Sequence, residues 1–356
     1  MTDSAGSELT PHEPSFLVVT TVHQSDDTRI REKLIRSLAP LGPVTYATRG
    51  PGPSDADGIS EWVELAGGRV RRNVRAWRLL LSRRSAVAVI HDPELLPAAV
   101  VASWLRRQVV VDVHEHIPGQ LRTKQWLWPP LRRPAALVAA WLLRLAERRC
   151  PITLAEPGYG MLFRRAHPVF PNYPDGLPEP APGEGYVVYV GDVTEARGVL
   201  DLAEATTGLG AELRIVGRCD AGLADRLGAF PHVAVLGRRP HPEAMEIARR
   251  AAVGVSPLHD LDNYRHSLPT KVIEYLGIGV PVVASDLPGT REAIAGRPGV
   301  VLVAPGDVTA LASAVAGALA DDRLRNAAQE NAAAIRRRFR WPTEDVQAFY
   351  RGLLAG

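Results

Sequence analysis

Residues 266–286 combine a cation and a carboxylate at a spacing that suits an anionic ligand. Thr270 and Lys271 begin a predicted helix, and Glu274 follows Lys271 by three residues, which places both on about the same helix face. Free N–H groups at a helix start, with a lysine beside them, form an anion site. A carboxylate one turn further on can accept hydrogen bonds from two adjacent hydroxyl groups. The alternative is a Lys–Glu pair on the surface.

A second segment has a similar character. Gly191 ends a predicted strand, and Arg197 lies near the start of the helix that follows. A glycine at this point lets the backbone approach a ligand closely, and free helix N–H groups with an arginine suit the phosphates of a diphosphate. The alternative is an ordinary strand-to-helix turn with a solvated arginine.

The first half of the chain has its own polar residues near the ends of predicted strands. His114 directly follows one of these strands. Asp112 and Glu115 flank His114, and either carboxylate could orient the imidazole ring. This pattern favours a functional histidine, and the alternative is a loop histidine with satisfied hydrogen bonds.

The elements that must position these residues are short β-branched runs alternating with helical patterns. Runs nearly continuous in Val, Ile and Leu indicate strands buried on both faces of a parallel sheet. Alternating strands and helices predict α/β, doubly wound, Rossmann-like domains. The predicted strands are 16–22, 44–48, 86–90, 109–113 and 152–154 in the first half, and 186–190, 212–216, 233–236, 253–255, 282–284 and 300–303 in the second.

The alternation stops once, in a stretch of five Pro and three Gly that can form neither a helix nor a central strand. We therefore predict a disordered tail at 1–15, an N-terminal domain at 16–169, a linker at 170–185, a second domain at 186–340 and a C-terminal helical segment at 341–356. Because ligands of open α/β sheets bind outside the carboxyl ends of the strands, the two domains are expected to face a cleft.

Composition excludes several classes of protein. The chain has 356 residues, of which 46% are hydrophobic and 23% charged, so it is not a disordered chain. Its 2 Cys give neither a disulfide framework nor a zinc spacing. The polar segment 1–13 does not resemble a signal peptide, and the apolar stretches are too short to span a bilayer. A cytoplasmic location is predicted.

Charge is unevenly distributed along the chain. Residues 1–168 hold 23 Lys and Arg against 16 Asp and Glu, whereas residues 169–356 hold 19 against 23. The segment 70–84 carries six Arg with apolar partners at helical spacing, and the segment 122–149 adds Trp126, Trp128 and Trp141 among further Arg. Arg and Trp on an amphipathic helix suit the anionic inner face of a membrane. The alternative is a helix that packs on the sheet and solvates its Arg face. Nucleic acid is not indicated, because no aromatic and basic platform motif is present.

The segment Leu268–Asp286 resembles the nucleotide-sugar signature of family-4 glycosyltransferases of the GT-B fold. Three further segments, Thr20–Ile30, His91–Pro97 and Val111–Glu115, resemble one branch of that family and occur in the right order. Trp341–Tyr350 resembles the family's closing helix, which usually crosses back onto the N-terminal domain. The resemblance covers nearly the whole chain beyond residue 15.

The resemblance implies an enzyme of the hexosyltransferase type. It would move a sugar from a nucleoside diphosphate sugar to an acceptor hydroxyl with retention, in the synthesis of a glycan, a glycolipid or a glycosylated metabolite. No metal or other cofactor would be required. The implied fold has two Rossmann-like domains facing a cleft, with the C-terminal helix crossing back to the N-terminal domain, which would bind the acceptor.

The family's functional residues map onto this chain as expectations. Glu274 would bind the ribose, Lys271 and Thr270 the diphosphate, and Gly191 with Arg197 the same diphosphate. His114 would be the catalytic residue and contact the donor sugar. Residues expected on the acceptor side are Asp27, Arg29, His91 and Asp92.

Two positions depart from the family's pattern. His266 stands where many relatives carry a glutamate, and Asp192 stands where many carry an arginine. An acid beside a diphosphate is unfavourable unless its side chain points away. Two alternatives therefore stay open, an isomerase similar to nucleotide-sugar 2-epimerases and a non-catalytic sugar-nucleotide-binding protein.

Overall fold

The computed structural model describes residues 15–53, 57–123, 128–265, 267–268 and 270–355, and the chain divides into two compact units. Unit 1 comprises Met1–Pro171 and Pro342–Gly356, and unit 2 comprises Asn172–Trp341. The tail predicted at 1–15 lies, except for its last residue, outside the described residues.

Unit 1 is built on a parallel sheet. Over its described residues six strands pair in the order β3-β2-β1-β4-β5-β6. The strands are β1 (Phe16–Gln24), β2 (Val44–Arg49), β3 (Glu61–Glu64), β4 (Val87–Ile90), β5 (Val109–Val113) and β6 (Ile152–Leu154). The helical segments between them are Thr28–Ile35, which continues into α1 (Arg36–Leu38), then α2 (Arg69–Ser82), α3 (Leu96–Trp104), α4 (Ile117–Thr123) and α5 (Pro129–Glu147).

Unit 2 repeats the architecture without repeating the sequence. Its described residues form a parallel sheet of six strands in the order β12-β11-β10-β7-β8-β9. The strands are β7 (Val187–Val190), β8 (Leu213–Val216), β9 (Val233–Gly237), β10 (Val253–Ser256), β11 (Val282–Ser285) and β12 (Val300–Val303). The helices are α6 (Val199–Ala205), α7 (Ala221–Gly228), α8 (His241–Arg249), α9 (Asp262–Arg265), α10 (Thr270–Gly277), α11 (Pro288–Ile294), α12 (Val308–Ala320) and α13 (Asp322–Arg338).

The last helix returns to unit 1. In α14 (Thr343–Ala355) the fully buried Tyr350 packs edge-on against Phe16 of β1, with ring centroids 6.0 Å apart. Phe349 meets Phe170 in the same way at 5.8 Å. Aromatic pairs in this geometry stabilise a contact beyond the area they bury. The predicted α/β class, with two Rossmann-like domains and a C-terminal helix that crosses back to the first of them, is confirmed.

Both sheets place their first strand in the interior of the strand order, and this determines where a ligand can bind. In unit 1 the connections leave β1 in one direction and β4 in the other, and in unit 2 the same reversal occurs between β7 and β10. Such a reversal leaves a crevice at the carboxyl ends of the two strands, because their crossover helices lie on opposite faces. Functional side chains are therefore expected just after β1, β4, β7 and β10.

Candidate active site

Unit 1 gathers polar side chains at this crevice. His23 lies near the end of β1, His91 and Asp92 directly follow β4, and Asp112 and His114 lie at the end of β5. The five predicted residues of unit 1 converge there, together with His23 and Asp112, which were not among them. The predicted five are Asp27, Arg29, His91, Asp92 and His114. We call these seven residues the histidine cluster.

Asp112 is the buried anchor of the histidine cluster. Its two carboxylate oxygens accept from Arg29 Nε at 3.0 Å and Nη2 at 2.9 Å, and Thr153 donates to the same carboxylate at 2.8 Å. Although burial opposes ionisation, the charge of Arg29 holds the pKa of Asp112 well below its usual range. Arg29 also donates to the carbonyl of Phe170 at 2.9 Å. This pair therefore neutralises itself inside the unit.

The two residues after β4, His91 and Asp92, also contact buried groups of unit 1. Asp92 is buried and accepts from the backbone N–H of Thr21, and the Thr21 hydroxyl donates to the same oxygen at 3.3 Å. His91 is buried, with its Nδ1 3.2 Å from a carboxylate oxygen of Asp112. These contacts fasten the ends of β1, β4 and β5 to one another.

Asp27, His23 and His114 form the more accessible side of the histidine cluster. One oxygen of Asp27 accepts from the N–H groups of Arg29 and Ile30 and so caps the helical segment Thr28–Ile35, while the other oxygen lies 2.8 Å from His23 Nδ1. His23 Nε2 lies 2.9 Å from His114 Nε2. Asp27 thus connects a helix start to a pair of imidazoles.

The His114 ring is oriented by a backbone carbonyl, whereas the sequence predicted the carboxylate of Asp112 or Glu115. Its Nδ1 faces the backbone carbonyl of Asp112 at 3.3 Å, while the Asp112 carboxylate is turned to Arg29, and Glu115 is exposed. Burial, with the charges of His23 and His91 nearby, lowers the pKa of His114 to about 3. His114 is therefore neutral at neutral pH.

The charge of His23 is set by Asp27. Although burial acts to lower the pKa of His23, the hydrogen bond and charge of Asp27 raise it above the ordinary histidine value. In the same pair, burial acts against ionisation of Asp27, but its contact with His23 lowers the carboxyl pKa. The pKa values of the two rings of the pair are thus shifted in opposite directions.

A metal does not fit this arrangement well. Among the described residues, the ligating atoms of His91, Asp112 and His114 lie within 4.8 Å of one another. Both carboxylate oxygens of Asp112 already bind the Arg29 guanidinium, and a second cation there would be repelled by the first. The donor set favours the ion pair.

Unit 2 has a candidate site of its own after β7. Gly191 follows the strand with φ of 136°, a backbone conformation that side chains rarely adopt. A Cβ at this position would lie 3.1 Å from Lys271 Nζ and 3.7 Å from an Arg197 nitrogen, so both cations converge on the bare backbone. We call Gly191, Arg197 and Lys271 the cation pocket.

Among the residues that the structure describes, Lys271 has no hydrogen-bonded anionic partner. Its side chain is buried, and no described residue accepts a hydrogen bond from Nζ, which lies 3.9 Å from the centroid of the Tyr189 ring. Burial, with the charge of Arg197 nearby, holds the pKa of Lys271 well below its usual range. A buried amine that stays unpaired is unfavourable unless an anion arrives.

α10 carries the remaining predicted residues of unit 2. Thr270 begins the helix and is partly buried, and Glu274 lies one turn beyond Lys271. Glu274 is engaged by His241, the first residue of α8, whose Nε2 is 2.9 Å from Oε1. The helix is fixed to the pocket by Tyr275, whose hydroxyl accepts from the N–H of Val190 at 2.7 Å.

The two departures from the family's pattern have different outcomes. The carboxylate of Asp192 is exposed and lies 3.3 Å from Arg218, which gives this acid a cationic partner on the surface. His266 lies outside the described residues, so its position carries no argument.

Sequence reasoning did not select His23 or His241 as site residues. His23 is 91 residues from His114, and His241 is 33 residues from Glu274. His23 lies within a segment that already contained Asp27 and Arg29, so the end of that strand was a usable signal. His241 lies after β9 and had no comparable signal.

Comparison with known proteins identifies a matching family model and a similar enzyme. Residues 184–321 match the family model of the group 1 glycosyl transferases. Glycogen synthase of Mycobacterium tuberculosis is 26% identical over 303 residues, covering 77% of this chain and 70% of the relative.

Solved structures agree on the fold. A sucrose-phosphate synthase from Thermosynechococcus elongatus superimposes with a TM-score of 0.72 at 19% identity, covering 97% of this chain and all of the other. HepE of Anabaena, solved with UDP and glucose, gives the same TM-score at 17% identity and the same coverage.

Two Rossmann-like units, with a cation pocket at the strand-order reversal of the second, define the chain as a member of the GT-B class of folds. The chain is a glycosyltransferase of the hexosyltransferase type, and the part of it that matches the group 1 glycosyl transferases is residues 184–321. None of the described helices is both long enough and apolar enough to cross a membrane.

Proposed function

We propose that the chain transfers a sugar from a nucleoside diphosphate sugar to an acceptor hydroxyl with retention of configuration and without a metal. The observation that carries the proposal is Lys271, a buried amine without an acceptor among the described residues, which meets Arg197 at Gly191. Two cations at a bare backbone suit a diphosphate. HepE, the structural neighbour solved with UDP, makes a uridine donor the first to test.

Each residue of the unit 2 site has a part in the proposal. Glu274 accepts from the ribose hydroxyls, and Thr270 with the first N–H groups of α10 binds the diphosphate. Arg197 and Lys271 stabilise the charge that builds on the leaving diphosphate, which accelerates the reaction because this charge grows toward the transition state. His241 holds the Glu274 carboxylate in place until the ribose binds.

Unit 1 is proposed to bind the acceptor and to supply the catalytic His114. Asp27 and His23 lie on the accessible side of the histidine cluster, whereas Arg29, His91 and Asp92 have their polar atoms turned inward. We therefore assign Arg29, His91 and Asp92 to holding the cluster together and Asp27 to its acceptor-facing side.

A thermal-shift panel tests the donor site. UDP, GDP and ADP are compared with UMP, all in the presence of a chelator. A diphosphate at about 100 times its dissociation constant adds about 2.7 kcal/mol to the free energy of unfolding, which is readily measured. We expect a diphosphate to stabilise the protein more than UMP does, and we expect Arg197→Ala to remove the difference. Arg337→Ala, an exposed arginine of α13, is the matched control. Equal shifts with UDP and UMP would refute the diphosphate assignment.

Product analysis tests the reaction itself. A transferase releases nucleoside diphosphate faster when an acceptor is present, whereas an isomerase interconverts the donor without any acceptor. A binder that does neither would still give the thermal shift. Supplying UDP-glucose with and without a mixed acceptor extract, and following both UDP and the sugar, separates the three cases.

We also propose that unit 1 associates peripherally with an anionic lipid surface. Of the two segments expected at the membrane, α2 supports the proposal less, because Arg72 donates to the carbonyls of Thr21 and Gly67, and Arg75 donates to that of Ala66. These arginines are occupied in supporting the unit.

The face of α5 suits a membrane better. Helix α5 and Trp128, which directly precedes it, expose large apolar side chains. Arg133, Arg144 and Arg148 are exposed along the same stretch. The apolar residues are Trp128, Leu131, Leu137, Val138 and Trp141.

Vesicle sedimentation tests the lipid proposal. Trp and Arg on one helix suit the interface of anionic lipid, where each basic residue contributes about 1 kcal/mol. We expect pelleting with acidic vesicles, weakening as salt rises, and lost in the variant Trp141→Ser with Arg144→Glu. Arg337→Glu on unit 2 is the control. Equal pelleting with neutral and acidic vesicles would contradict the proposal.

A further inference from the structure

Three contacts of the His23 and His114 rings determine how many hydrogen atoms the ring nitrogens carry. His23 Nδ1 meets the carboxylate of Asp27, His114 Nδ1 meets the carbonyl of Asp112, and the two Nε2 atoms meet each other. The two oxygens can only accept, so both Nδ1 atoms must carry hydrogen. The contact between the two Nε2 atoms, at 2.9 Å, needs one hydrogen more.

The count exceeds what two neutral rings provide. A neutral imidazole carries one N–H, so two neutral rings supply two hydrogens for three contacts. Asp27 does not supply the third as a neutral acid, because its other oxygen accepts two backbone N–H groups at a helix start, an arrangement that favours the carboxylate. The pair therefore carries one extra proton and a single positive charge.

We propose that His23 is a positioning residue that carries the extra proton and holds His114 as the neutral Nδ1–H tautomer through its own Nε2–H. Of the two rings, that of His23 lies within hydrogen-bond distance of a carboxylate and that of His114 faces a carbonyl, so the imidazolium is the ring next to Asp27. His114 accepts with Nε2 and donates with Nδ1. The lone pair of His114 Nε2 therefore accepts a hydrogen bond from His23, whose protonated form Asp27 stabilises.

The charged neighbours of the pair support this assignment. Asp92 lies 3.9 Å from His23 Nε2, and Glu115 also acts on His23. Burial and the charge of His23 disfavour a charge on the His114 ring most, and His91 and Arg29 act in the same direction, against the opposing effect of Asp112. The raised pKa of His23 and the lowered pKa of His114 follow the same division.

The consequence is a charge that depends on pH at the carboxyl ends of β1 and β5. The imidazolium is lost as pH rises through the pKa of His23, which lies above the ordinary histidine value because of Asp27. Once it is lost, the hydrogen between the two Nε2 atoms must come from one of two neutral rings, and one Nδ1 contact fails. The pair then no longer holds His114 in one tautomer.

Imidazole nitrogen NMR on the full chain, labelled with ¹⁵N-histidine, tests the inference without any ligand. Chemical shifts distinguish an imidazolium, an N–H and a bare nitrogen. Assignment comes from the variants His23→Gln and His114→Gln. We expect one imidazolium, His23, and one neutral Nδ1–H ring, His114, at pH 7. In Asp27→Asn we expect the His23 imidazolium to titrate at lower pH.

Two substitutions of His23 separate positioning from packing. The amide of His23→Gln can still donate to His114 Nε2, so this variant should keep the Nδ1–H tautomer of His114 while losing the charge. His23→Ala has no donor and should leave His114 in a mixture of tautomers. His167→Gln removes a histidine paired to a different carboxylate, Glu147, and should leave the spectrum of His114 unchanged.

The outcomes bear separately on the two proposals. A His114 imidazolium, an Nε2–H tautomer at pH 7, or a His114 spectrum unaltered by His23→Ala would each overturn the inference. The use of this pair in sugar transfer rests on the proposed function, but its charge state does not. Failure of nucleotides to bind would refute the function and leave the NMR result standing.

Discussion

Replacing Lys271 with Met separates what this residue does for the fold from what it does for a ligand. The amine is buried beside Arg197, and no described residue accepts its hydrogen bonds. Methionine has a similar length without the charge, and its sulfur suits the neighbouring Tyr189 ring. The variant should therefore be more stable than the wild type and bind nucleotide more weakly.

The expected magnitudes follow from burial. Leaving a polar group buried and unsatisfied is unfavourable by about 1–3 kcal/mol, so its removal should raise the free energy of unfolding by about that amount. In a unit of this size each kcal/mol shifts the melting temperature by about 2–4 °C. The lost hydrogen bonds from a charged amine to phosphate should weaken binding by about 1.5–3 kcal/mol, or roughly 10- to 150-fold.

Differential scanning calorimetry without ligand and titration calorimetry with UDP measure the two effects on one preparation. Arg337→Met, which removes an exposed cation from the same unit, should change neither the melting temperature nor the affinity by much. If Lys271→Met is stabilised but binds UDP as the wild type does, the cation pocket is not the diphosphate site. If it is destabilised, the contact of Lys271 with Tyr189 outweighs its burial and the reasoning fails.

Three further predictions concern single residues. Asp112→Asn removes the carboxylate that accepts from two nitrogens of the buried Arg29 and should lower stability by about 3–5 kcal/mol in urea titration. Because the folded pKa of Asp112 is depressed, that stability is present above the ordinary carboxyl pKa and lost as pH falls, so the variant should show a weaker loss in acid. Gly198→Ala should strongly lower the melting temperature, since its Cβ would collide with the Pro257 carbonyl. Gly208 has a similar positive φ but open space around it, so Gly208→Ala should lower the melting temperature less, through backbone strain alone. Glu274→Ala should weaken UDP binding by about 1.5–3 kcal/mol, and unchanged affinity in calorimetry would reject its ribose role.

The strands were predictable because the fold buries them. Runs such as Val109–Val113 are apolar along nearly their whole length, and a parallel sheet covered on both faces requires this. β3 and α4 are among the elements that were not predicted. β3 (Glu61–Glu64) is a short edge strand with exposed glutamates, and α4 (Ile117–Thr123) contains Pro118 and Gly119, which argue against a helix in isolation. Tertiary context overrides local propensity at both places.

The site was predictable as separate motifs but not as a set of contacts. The motifs located Lys271, Glu274 and His114 near strand ends or at a helix start, because the spacing of a helix and the end of a strand are local properties. The partners of these residues depend on strand order instead. β4 lies between β1 and β5 in the sheet, and this order brings His23 to His114.

The two units treat charge in opposite ways, and the difference indicates where a ligand is required. In unit 1 the buried charges neutralise one another, since Asp112 has Arg29 and Asp27 has His23. In unit 2 the amine of Lys271 is buried beside Arg197 without a carboxylate acceptor among the described residues. Burying an unpaired charge is unfavourable, whereas two cations left together become favourable once a doubly charged anion binds between them. The buried amine should therefore lower the stability of unit 2 without ligand, and its pairing with such an anion should raise the binding affinity.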